Sequence, residues 1–261
     1  MPNLSQRRAK TSSQPEEEGR GRKRRHNNED TQESTQSSQA SNELSKAEME
    51  KKVTDFVRYM IFMDSKKTPV RRAELNKNVM KEHTKYFKAV FDGAKKKLRK
   101  LFGYKLIEAE LNKLKVYMLV NEMQEEASQV VRNRPDDLPK LGLLMVILAT
   151  IFMKDNVITD GVLWDTLKKL GINQKNVHET FGDAEKLIFE FVRQTYLDRK
   201  KIVTGDTVIY EYRWGVRAQH EITKREVLQF VSQIYGNEVD AWTAKLKEVV
   251  EQEEDAASES D

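Results

Sequence analysis

The hydrophobic pattern of the chain centres on one apolar run, Leu141–Met153, which Lys140 and Lys154 close at its two ends. The run falls short of the roughly 20 apolar residues that span a bilayer. It is longer than a usual strand and few of its residues are β-branched, so it predicts a helix that is apolar on every side. Such a helix needs cover all round, either within a domain core or between a domain and a partner.

The segment before this run predicts three helices followed by a β-hairpin. An amphipathic helix comes first, a short helix opens at Thr68-Pro69, and a third helix ends at Gly103. Two β-prone runs, Tyr104–Ile107 and Val116–Val120, then flank a polar turn. This order is typical of a winged helix, a helix-turn-helix with a hairpin wing.

The same order of elements follows the central run. One helix is capped at Thr159-Asp160 and another at Asp183, and the runs Lys201–Val203 and Val208–Trp214 predict a second hairpin. Matching the two hairpins gives an internal offset of about 90 residues. Two more helices are expected after Gly215. Because residue identity between the halves is negligible, the order of elements alone supports a tandem pair.

The predicted fold class is therefore mainly α with small β-hairpin wings, as tandem winged-helix domains with disordered termini. Segments of Ser, Gln, Glu and Arg with few large apolar residues cannot offset the entropy of ordering, and clustered prolines mark a linker. The predicted organisation is a disordered tail with a basic cluster (1–45), a first unit (46–127), a linker (128–138), a second unit (139–250) and an acidic disordered tail (251–261).

Charge and composition narrow the class of protein. The chain has 261 residues, with 46 basic and 42 acidic side chains and no cysteine, which excludes disulfides and cysteine-based zinc sites. No secretory signal is evident, so we expect a soluble intracellular protein without a membrane anchor. The cluster Arg20–Arg25 fits nuclear import, attraction to nucleic acid or a solvated charge run.

The sequence contains no catalytic constellation. Its four histidines are scattered, its glycines fall at turns and caps rather than in a phosphate loop, and no serine sits in a nucleophile elbow. We therefore expect a protein that is not an enzyme, needs no cofactor or metal, and acts by binding.

Duplex DNA is the first candidate partner, because basic clusters coincide with the third helix and with the second wing. In the run Lys95–Lys100, Leu98 is expected to point to the core and the basic residues outward; the alternative is a solubilising face. No base-reading pattern is evident, so contact with the DNA backbone is expected. The candidate DNA-binding residues are Lys95, Lys96, Lys97, Arg99, Lys100, Arg199, Lys200, Lys201, Arg213 and Arg217.

Protein partners are the second candidate. The first helix carries five large apolar or aromatic residues in succession, Tyr59–Met63, and Phe189 and Tyr196 lie off the main stripe of a later helix. Either packing between the two units or a partner groove could cover them. Periodicity alone favours packing between the units.

Several motifs resemble the MAGE homology domain, in the order in which that family has them, over roughly residues 46 to 250. They are Gly142–Lys154, Phe102–Leu106, Phe181–Asp183 with Lys186–Ile188, Phe191–Leu197, and Tyr210–Gly215 with Arg217-Ala218. Within the family, the chain is most similar to a subunit of the chromosomal SMC complex devoted to DNA repair. Where the family has Trp-Gly-Pro-Arg, this chain has Trp214-Gly-Val-Arg217.

The resemblance implies a nuclear, chromatin-bound hetero-oligomer in which tandem winged helices scaffold a RING-type ubiquitin-ligase subunit and a kleisin subunit. SMC proteins would be indirect partners and double-stranded DNA a direct one. The RING contact of the family corresponds to Met60 and Ile61, with Val57 on the same helix. The kleisin contact corresponds to Leu228 and Val231. The alternatives are a free-standing adaptor that directs a RING ligase to substrates, and a transcription regulator with a defined operator.

Overall fold

Residues 44–121 fold into a helical lobe around a three-stranded antiparallel sheet. The computed structural model describes residues 44–121 and 138–258, apart from the side chains of residues 256 and 257. The elements of the first lobe are α1 (Lys46–Asp64), β1 (Val70–Arg71), α2 (Arg72–Leu75), a π-helical turn (Asn76–Met80), a 3-10 segment (Lys81–Tyr86), α3 (Phe87–Phe102), β2 (Tyr104–Leu111) and β3 (Leu114–Asn121).

The second lobe, residues 138–258, repeats this order and extends it. Its elements are α4 (Leu138–Met153), β4 (Ile158–Thr159), α5 (Asp160–Lys169), β5 (Val177–His178), β6 (Gly182–Asp183), α6 (Ala184–Arg193), β7 (Leu197–Thr204), β8 (Thr207–Trp214), α7 (Val216–Glu221), α8 (Lys224–Tyr235), a 3-10 turn (Val239–Trp242) and α9 (Thr243–Ser258). The short helix α7 was not predicted from the sequence.

Local sequence signals fix the ends of several elements. Ser45 and Glu48 form a capping box at the start of α1, and Thr159 and Asp183 cap α5 and α6 through their side chains. Gly103 adopts the left-handed conformation, with φ of 66°, that ends α3. These boundaries match the sequence prediction.

The sheets have strand orders β1-β3-β2 and β4-β8-β7, and β5 and β6 form a separate two-stranded pair. In each larger sheet, a hairpin carries a very short third strand, β1 or β4, which the sequence did not predict. The prediction of a mainly α fold with small β-hairpins, and of the same element order in both halves, is confirmed.

Each lobe has its own apolar core. In the first lobe, α1 and α3 pack Phe56 against Phe87 with ring centroids 6.0 Å apart, beside the buried Tyr117 of β3. In the second lobe, α4 runs through the centre and is buried from Leu143 to Phe152 except at positions 145, 146 and 150. The prediction of a centrally buried helix is confirmed, although Leu141 at its start is exposed.

A third apolar cluster joins the lobes. Ile107, Val116, Met118 and Val120 on the hairpin of the first lobe are buried with Val216 of α7 packed against them. The described residues belong to one compact unit. Packing between the lobes therefore covers apolar surface of this hairpin, which the sequence did not single out, whereas Phe62 and Phe189, for which such cover was predicted, are exposed.

The C-terminal segment corrects one prediction. Residues 251–258, predicted to be part of a disordered acidic tail, continue α9. The reason is a two-point ion pair between Arg225 of α8 and Glu253, with N–O distances of 2.8 and 2.7 Å, and an ion pair from Lys247 to Glu251 one turn on.

Some predictions fall outside this structure. The N-terminal tail through residue 43, the cluster Arg20–Arg25 and linker residues 128–137 lie outside the described residues. Among the helices that are described, none is both long and apolar enough to cross a membrane.

Candidate partner and nucleic-acid surfaces

Arg217, predicted to contact DNA, instead lies buried where the two lobes meet. Its side chain is 1% exposed. The guanidinium donates to the carbonyl oxygens of Leu119 at 2.7 Å, Gln194 at 2.9 Å and Lys67 at 3.2 Å. Since Lys67 and Leu119 belong to the first lobe, one side chain of the second lobe holds two of its backbone segments.

Two carboxylates balance the Arg217 charge. Glu221, one helical turn later, accepts from Nη1 at 3.3 Å, and Asp64 at the end of α1 lies 3.7 Å from the same nitrogen. Both carboxylates are largely buried, and Tyr196 donates to Glu221 at 2.6 Å. A buried charge needs this degree of pairing. The prediction of a DNA contact at Arg217 is wrong because its donors all face inward.

The backbone before Arg217 approaches Thr195 very closely. A Cβ at Gly215 would lie 2.2 Å from the Thr195 carbonyl oxygen, which also accepts from the Arg217 amide at 3.0 Å. The glycine of the Trp214-Gly-Val-Arg217 motif is therefore required for the Arg217 side chain to enter the lobe interface.

The basic strip on α3 is exposed as predicted. Leu98 is fully buried, whereas Lys95, Lys96, Arg99 and Lys100 lie on the solvent side of the helix. Lys97 differs from the prediction, because it forms an ion pair with Glu50 of α1 and donates to Thr54 Oγ1 at 3.2 Å. The exposed cations of α3 form two pairs at helical i, i+4 spacing, Lys95–Arg99 and Lys96–Lys100.

The second wing holds its predicted basic residues in different states. The Arg199 guanidinium carbon lies 3.5 Å from the centroid of the Tyr210 ring and 4.7 Å from that of Phe189. Arg213 pairs with Glu211 at 3.3 Å, and Lys200 and Lys201 are exposed. The structure thus leaves Lys200 and Lys201 exposed on this wing, stacks Arg199 on aromatic rings and pairs the half-exposed Arg213 with Glu211.

The residues predicted to contact a RING subunit face mainly inward. Val57 is 5% and Met60 1% exposed, because the spacing from Val53 and Phe56 puts both on the core stripe of α1. The RING contact by Val57 and Met60 stays a prediction, and in this structure both side chains lie in the core of the first lobe. Ile61 is partly buried.

The exposed apolar residue of α1 is its neighbour Phe62. Its ring is 61% exposed and lines an open groove of about 350 Å³ with Tyr59, Arg58 and Lys81. The amide of Asn78 donates to the Tyr59 hydroxyl at 2.9 Å and holds that ring at the groove wall. This groove is the part of α1 that can receive a partner side chain.

The residues predicted to contact a kleisin are also buried. Leu228 and Val231 belong to the core of the second lobe, where α8 packs on α4. The same helix exposes Ile234 and Tyr235 at its C-terminal end, and the Tyr235 ring meets Trp242 edge-on at 5.5 Å. The contact by Leu228 and Val231 stays a prediction, with both side chains in the core of this structure, while the helix presents an exposed apolar surface one to two turns further on.

Sequence reasoning included Phe62 in the apolar run Tyr59–Met63 without singling it out, and missed the pair Ile234-Tyr235 and the structural role of Arg217. Helical spacing within α1 could have found Phe62, which falls off the core stripe. The i, i+4 spacing of Arg217 and Glu221 was a weak signal for an internal ion pair. Across the part of the chain that the structure describes, no three metal-ligating side chains form a cluster.

The chain matches one protein family and several known proteins over most of its described length. The model of the MAGE homology domain matches residues 56–225. The human Non-structural maintenance of chromosomes element 3 homolog is 37% identical over 214 residues, covering 82% of this chain and 70% of that protein. Its mouse counterpart is 36% identical over 211 residues, covering 80% of this chain and 75% of that protein.

A more distant relative and a solved structure extend the match. Human Melanoma-associated antigen D2 is 34% identical over 208 residues, which cover 79% of this chain and 34% of that protein. A chain of the Nse1-Nse3-Nse4 complex superposes with a TM-score of 0.73 at 37% identity, covering 79% of this chain and 99% of that chain. Because the family model spans more than half of the chain and these relatives agree, the chain belongs to the MAGE homology domain family.

Proposed function

We propose that this protein is a non-catalytic scaffold subunit of a chromosomal SMC complex for DNA repair, acting in the nucleus on chromatin. It bridges a RING-type ubiquitin-ligase subunit and a kleisin subunit and binds double-stranded DNA without sequence specificity. The observation that carries the proposal is the match to nearly the whole length of one chain of the Nse1-Nse3-Nse4 complex, together with the similarity to the human and mouse element 3 homologs.

In this proposal the two lobes are tandem winged helices, with units at 46–127 and 139–250 joined by the segment 128–138. Each lobe has helices followed by an antiparallel hairpin and a short third strand, which is the element order of that motif. The fusion of two such lobes through α7 makes a rigid body that can hold two partners at a fixed separation.

The RING subunit docks on the exposed face of α1. Phe62 takes the contact together with Ile61, one of the two residues, Met60 and Ile61, to which the family resemblance gave it, and the groove beside Tyr59 accepts an apolar side chain. The exposure of Phe62 supports this surface, since a lone large aromatic beside a groove is typical of an interface anchor.

The kleisin supplies an apolar helix to the C-terminal end of α8. Ile234 and Tyr235, beside Trp242, replace Leu228 and Val231 as the contact residues. Their exposure at the end of a helix whose other apolar residues are buried or partly buried supports this assignment.

Duplex DNA contacts the strip of Lys95, Lys96, Arg99 and Lys100 on α3. Side chains at i, i+4 on the solvent face of one helix match repeated phosphates, and neither Lys95 nor Lys96 is in an ion pair among the described residues. The second wing adds Lys200 and Lys201 at most, because Arg199 is stacked and Arg213 is paired.

Co-expression with a RING subunit and a kleisin tests the scaffold role. The expected product is a stable three-protein complex in size-exclusion chromatography with light scattering. Phe62→Asp should release only the RING subunit and Ile234→Asp only the kleisin, because each introduces an unpaired charge into one apolar contact. A chain that stays monomeric with both partners would refute the proposal.

Charge reversal on α3 tests the DNA contact. Lys96→Glu with Lys100→Glu should weaken duplex binding on the order of tenfold at low salt. Lys168→Glu with Lys169→Glu makes the same charge change on the exposed end of α5 and should leave affinity nearly unchanged. Fluorescence anisotropy titrations measure both affinities. If the two double variants weaken binding equally, the assignment of DNA binding to the α3 strip is wrong.

A further inference from the structure

The strand β7 is the free edge of the second sheet. The sheet order is β4-β8-β7, and no described residue pairs with the outer side of β7. The strand is eight residues long, Leu197–Thr204, which is enough to bind another strand along its whole length. In this respect it differs from β3 and β8, which lie between two neighbours.

The register defines which backbone groups of β7 are open. Thr204 pairs with Thr207 across the two-residue turn Gly205-Asp206, and a pair that closes such a turn exchanges both of its hydrogen bonds. Bonded pairs then alternate along the ladder. Ile202 and Lys200 therefore point their N–H and C=O groups at β8, whereas Val203 and Lys201 point theirs outward.

The side chains at the open positions form an apolar patch with cationic neighbours. Val203 and Val208 face each other across the hairpin and are 62% and 47% exposed. Phe189 of α6, 43% exposed, lies further along the same side, where Arg199 stacks on its ring. An added strand would thus find apolar contacts for alternate side chains and positive charge beside them.

The positive charge of β7 indicates which kind of partner can bind its open edge. The strand carries Arg199, Lys200 and Lys201 in succession, with Asp198 as its one acidic residue. Pairing β7 with β7 of a second copy would bring these basic runs together, which is destabilising. A nucleic acid would meet two exposed valines where it needs cations, and Arg199 is already stacked between rings.

We propose that the outer edge of β7 binds an extended acidic segment of a partner protein by strand addition. The segment pairs with the main-chain groups of Lys201 and Val203, places apolar side chains on the face of Val203 and Val208, and turns its carboxylates to the opposite face, beside Lys200. This surface is separate from those proposed for the RING subunit on α1 and the kleisin on α8. It shares Lys200 and Lys201 with the DNA contact proposed for the second wing, but binding of the acidic segment can be tested apart from the RING and kleisin contacts.

A proline substitution tests the edge without breaking the hairpin. Val203→Pro removes an outward N–H, which an edge strand tolerates because no ladder bond is lost. Val203→Thr is the matched control, since it keeps the N–H and the β-branched shape. Circular dichroism and thermal unfolding of both full-length variants establish that they fold.

The probe is a labelled peptide of about eight residues, the length of an ordinary strand, that alternates glutamate with valine or threonine. We expect it to bind the full chain in fluorescence anisotropy, Val203→Thr to change its affinity less than Val203→Pro, and Val203→Pro to weaken it by about tenfold or more. A peptide with lysine in place of glutamate should not bind.

Amide hydrogen exchange adds a readout at the backbone. The amides of Lys201 and Val203 should become protected on binding, whereas that of Ile202 is protected already in the free chain. The proposal is overturned if the acidic peptide does not bind, if it binds no better than the lysine peptide, or if Val203→Pro binds it as well as Val203→Thr. A loss of duplex DNA affinity in Val203→Pro as large as the loss of peptide affinity would instead make the edge a nucleic-acid surface.

Discussion

The two β-hairpins of this protein share a topology but not an environment. In the first hairpin, five successive residues of β3, Val116–Val120, are buried. In the second, the residues of β8 nearest the turn are exposed and burial begins only toward Tyr212 and Trp214. Both hairpins have two-residue turns, so the difference arises from what covers them rather than from how they are made.

Two layers cover the first hairpin. Tyr117 and Leu119 face the core of their own lobe, while Val116, Met118 and Val120 face the third cluster beside α7. Thr195 of the second lobe also reaches the Met118 sulfur at 3.6 Å. The first hairpin is thereby built into the joint between the lobes.

The second hairpin is packed against other residues on one side only, and only at the end away from its turn. Phe189 and Arg199 pack beside Tyr210, and beyond them the strands extend into solvent. Hairpins of the same topology thus lie in different settings: the first is packed between the lobes, and the second extends into solvent with β7 at the edge of its sheet.

The largest effect is expected from removing the guanidinium that anchors the first hairpin. Arg217→Ala should lower the free energy of unfolding by about 3–5 kcal/mol, because it leaves Asp64, Glu221 and the Leu119 carbonyl buried without a partner. Urea denaturation followed by tryptophan fluorescence measures the change.

The matched control is Arg213→Ala on the second hairpin, where the arginine is about half exposed and pairs with Glu211. Its expected change is within about 0.5 kcal/mol. If both variants unfold at the same urea concentration as the parent, Arg217 does not join the lobes.

A smaller effect should come from trimming one valine on each hairpin. Val116→Ala removes buried apolar surface in the joint and should cost about 2 kcal/mol, whereas Val208→Ala at the exposed tip should cost a few tenths of a kcal/mol. The same denaturation experiment compares the two variants directly. Equal losses would mean that the second hairpin is as well covered as the first.

Much of this contrast was legible in the sequence. The continuous apolar run Val116–Val120 predicts a strand buried on both faces, and the spacing around Leu98 predicts which side of α3 meets water. Ser45, Gly103 and Asp183 give element ends from local chemistry alone. These features depend on neighbours within a few residues, so one sequence suffices to predict them.

The site residues were harder to predict because they depend on distant segments. Arg217 looked like a basic residue leaving a wing, and its burial follows from a carbonyl 98 positions away in the chain. Met60 illustrates the reverse: its spacing from Val53 and Phe56 already placed it in the core, while the family resemblance suggested a partner contact. For Leu228, a helix with apolar residues on two sides gives no indication of which side meets α4.

The smallest expected effect is a change in the pKa of His220, which tests the contact between α7 and the first hairpin. His220 on α7 lies near Lys105 of the first hairpin, and partial burial and then the Lys105 ammonium lower the pKa of His220 below its usual value, against the opposing charge of Glu221. The unfolded chain therefore binds a proton at His220 more readily than the folded chain does. The contribution of His220 to the free energy of unfolding is complete above about pH 6.5 and is lost as the pH falls below that value.

Lys105→Ala should raise the pKa of His220 and weaken this acid sensitivity. Histidine NMR measures the titration, with His220→Gln used to assign the signal. Lys200→Ala makes the same change on the second hairpin and should leave the pKa of His220 unchanged. A change of that pKa with Lys200→Ala, or no change with Lys105→Ala, would contradict the contact of α7 with the first hairpin.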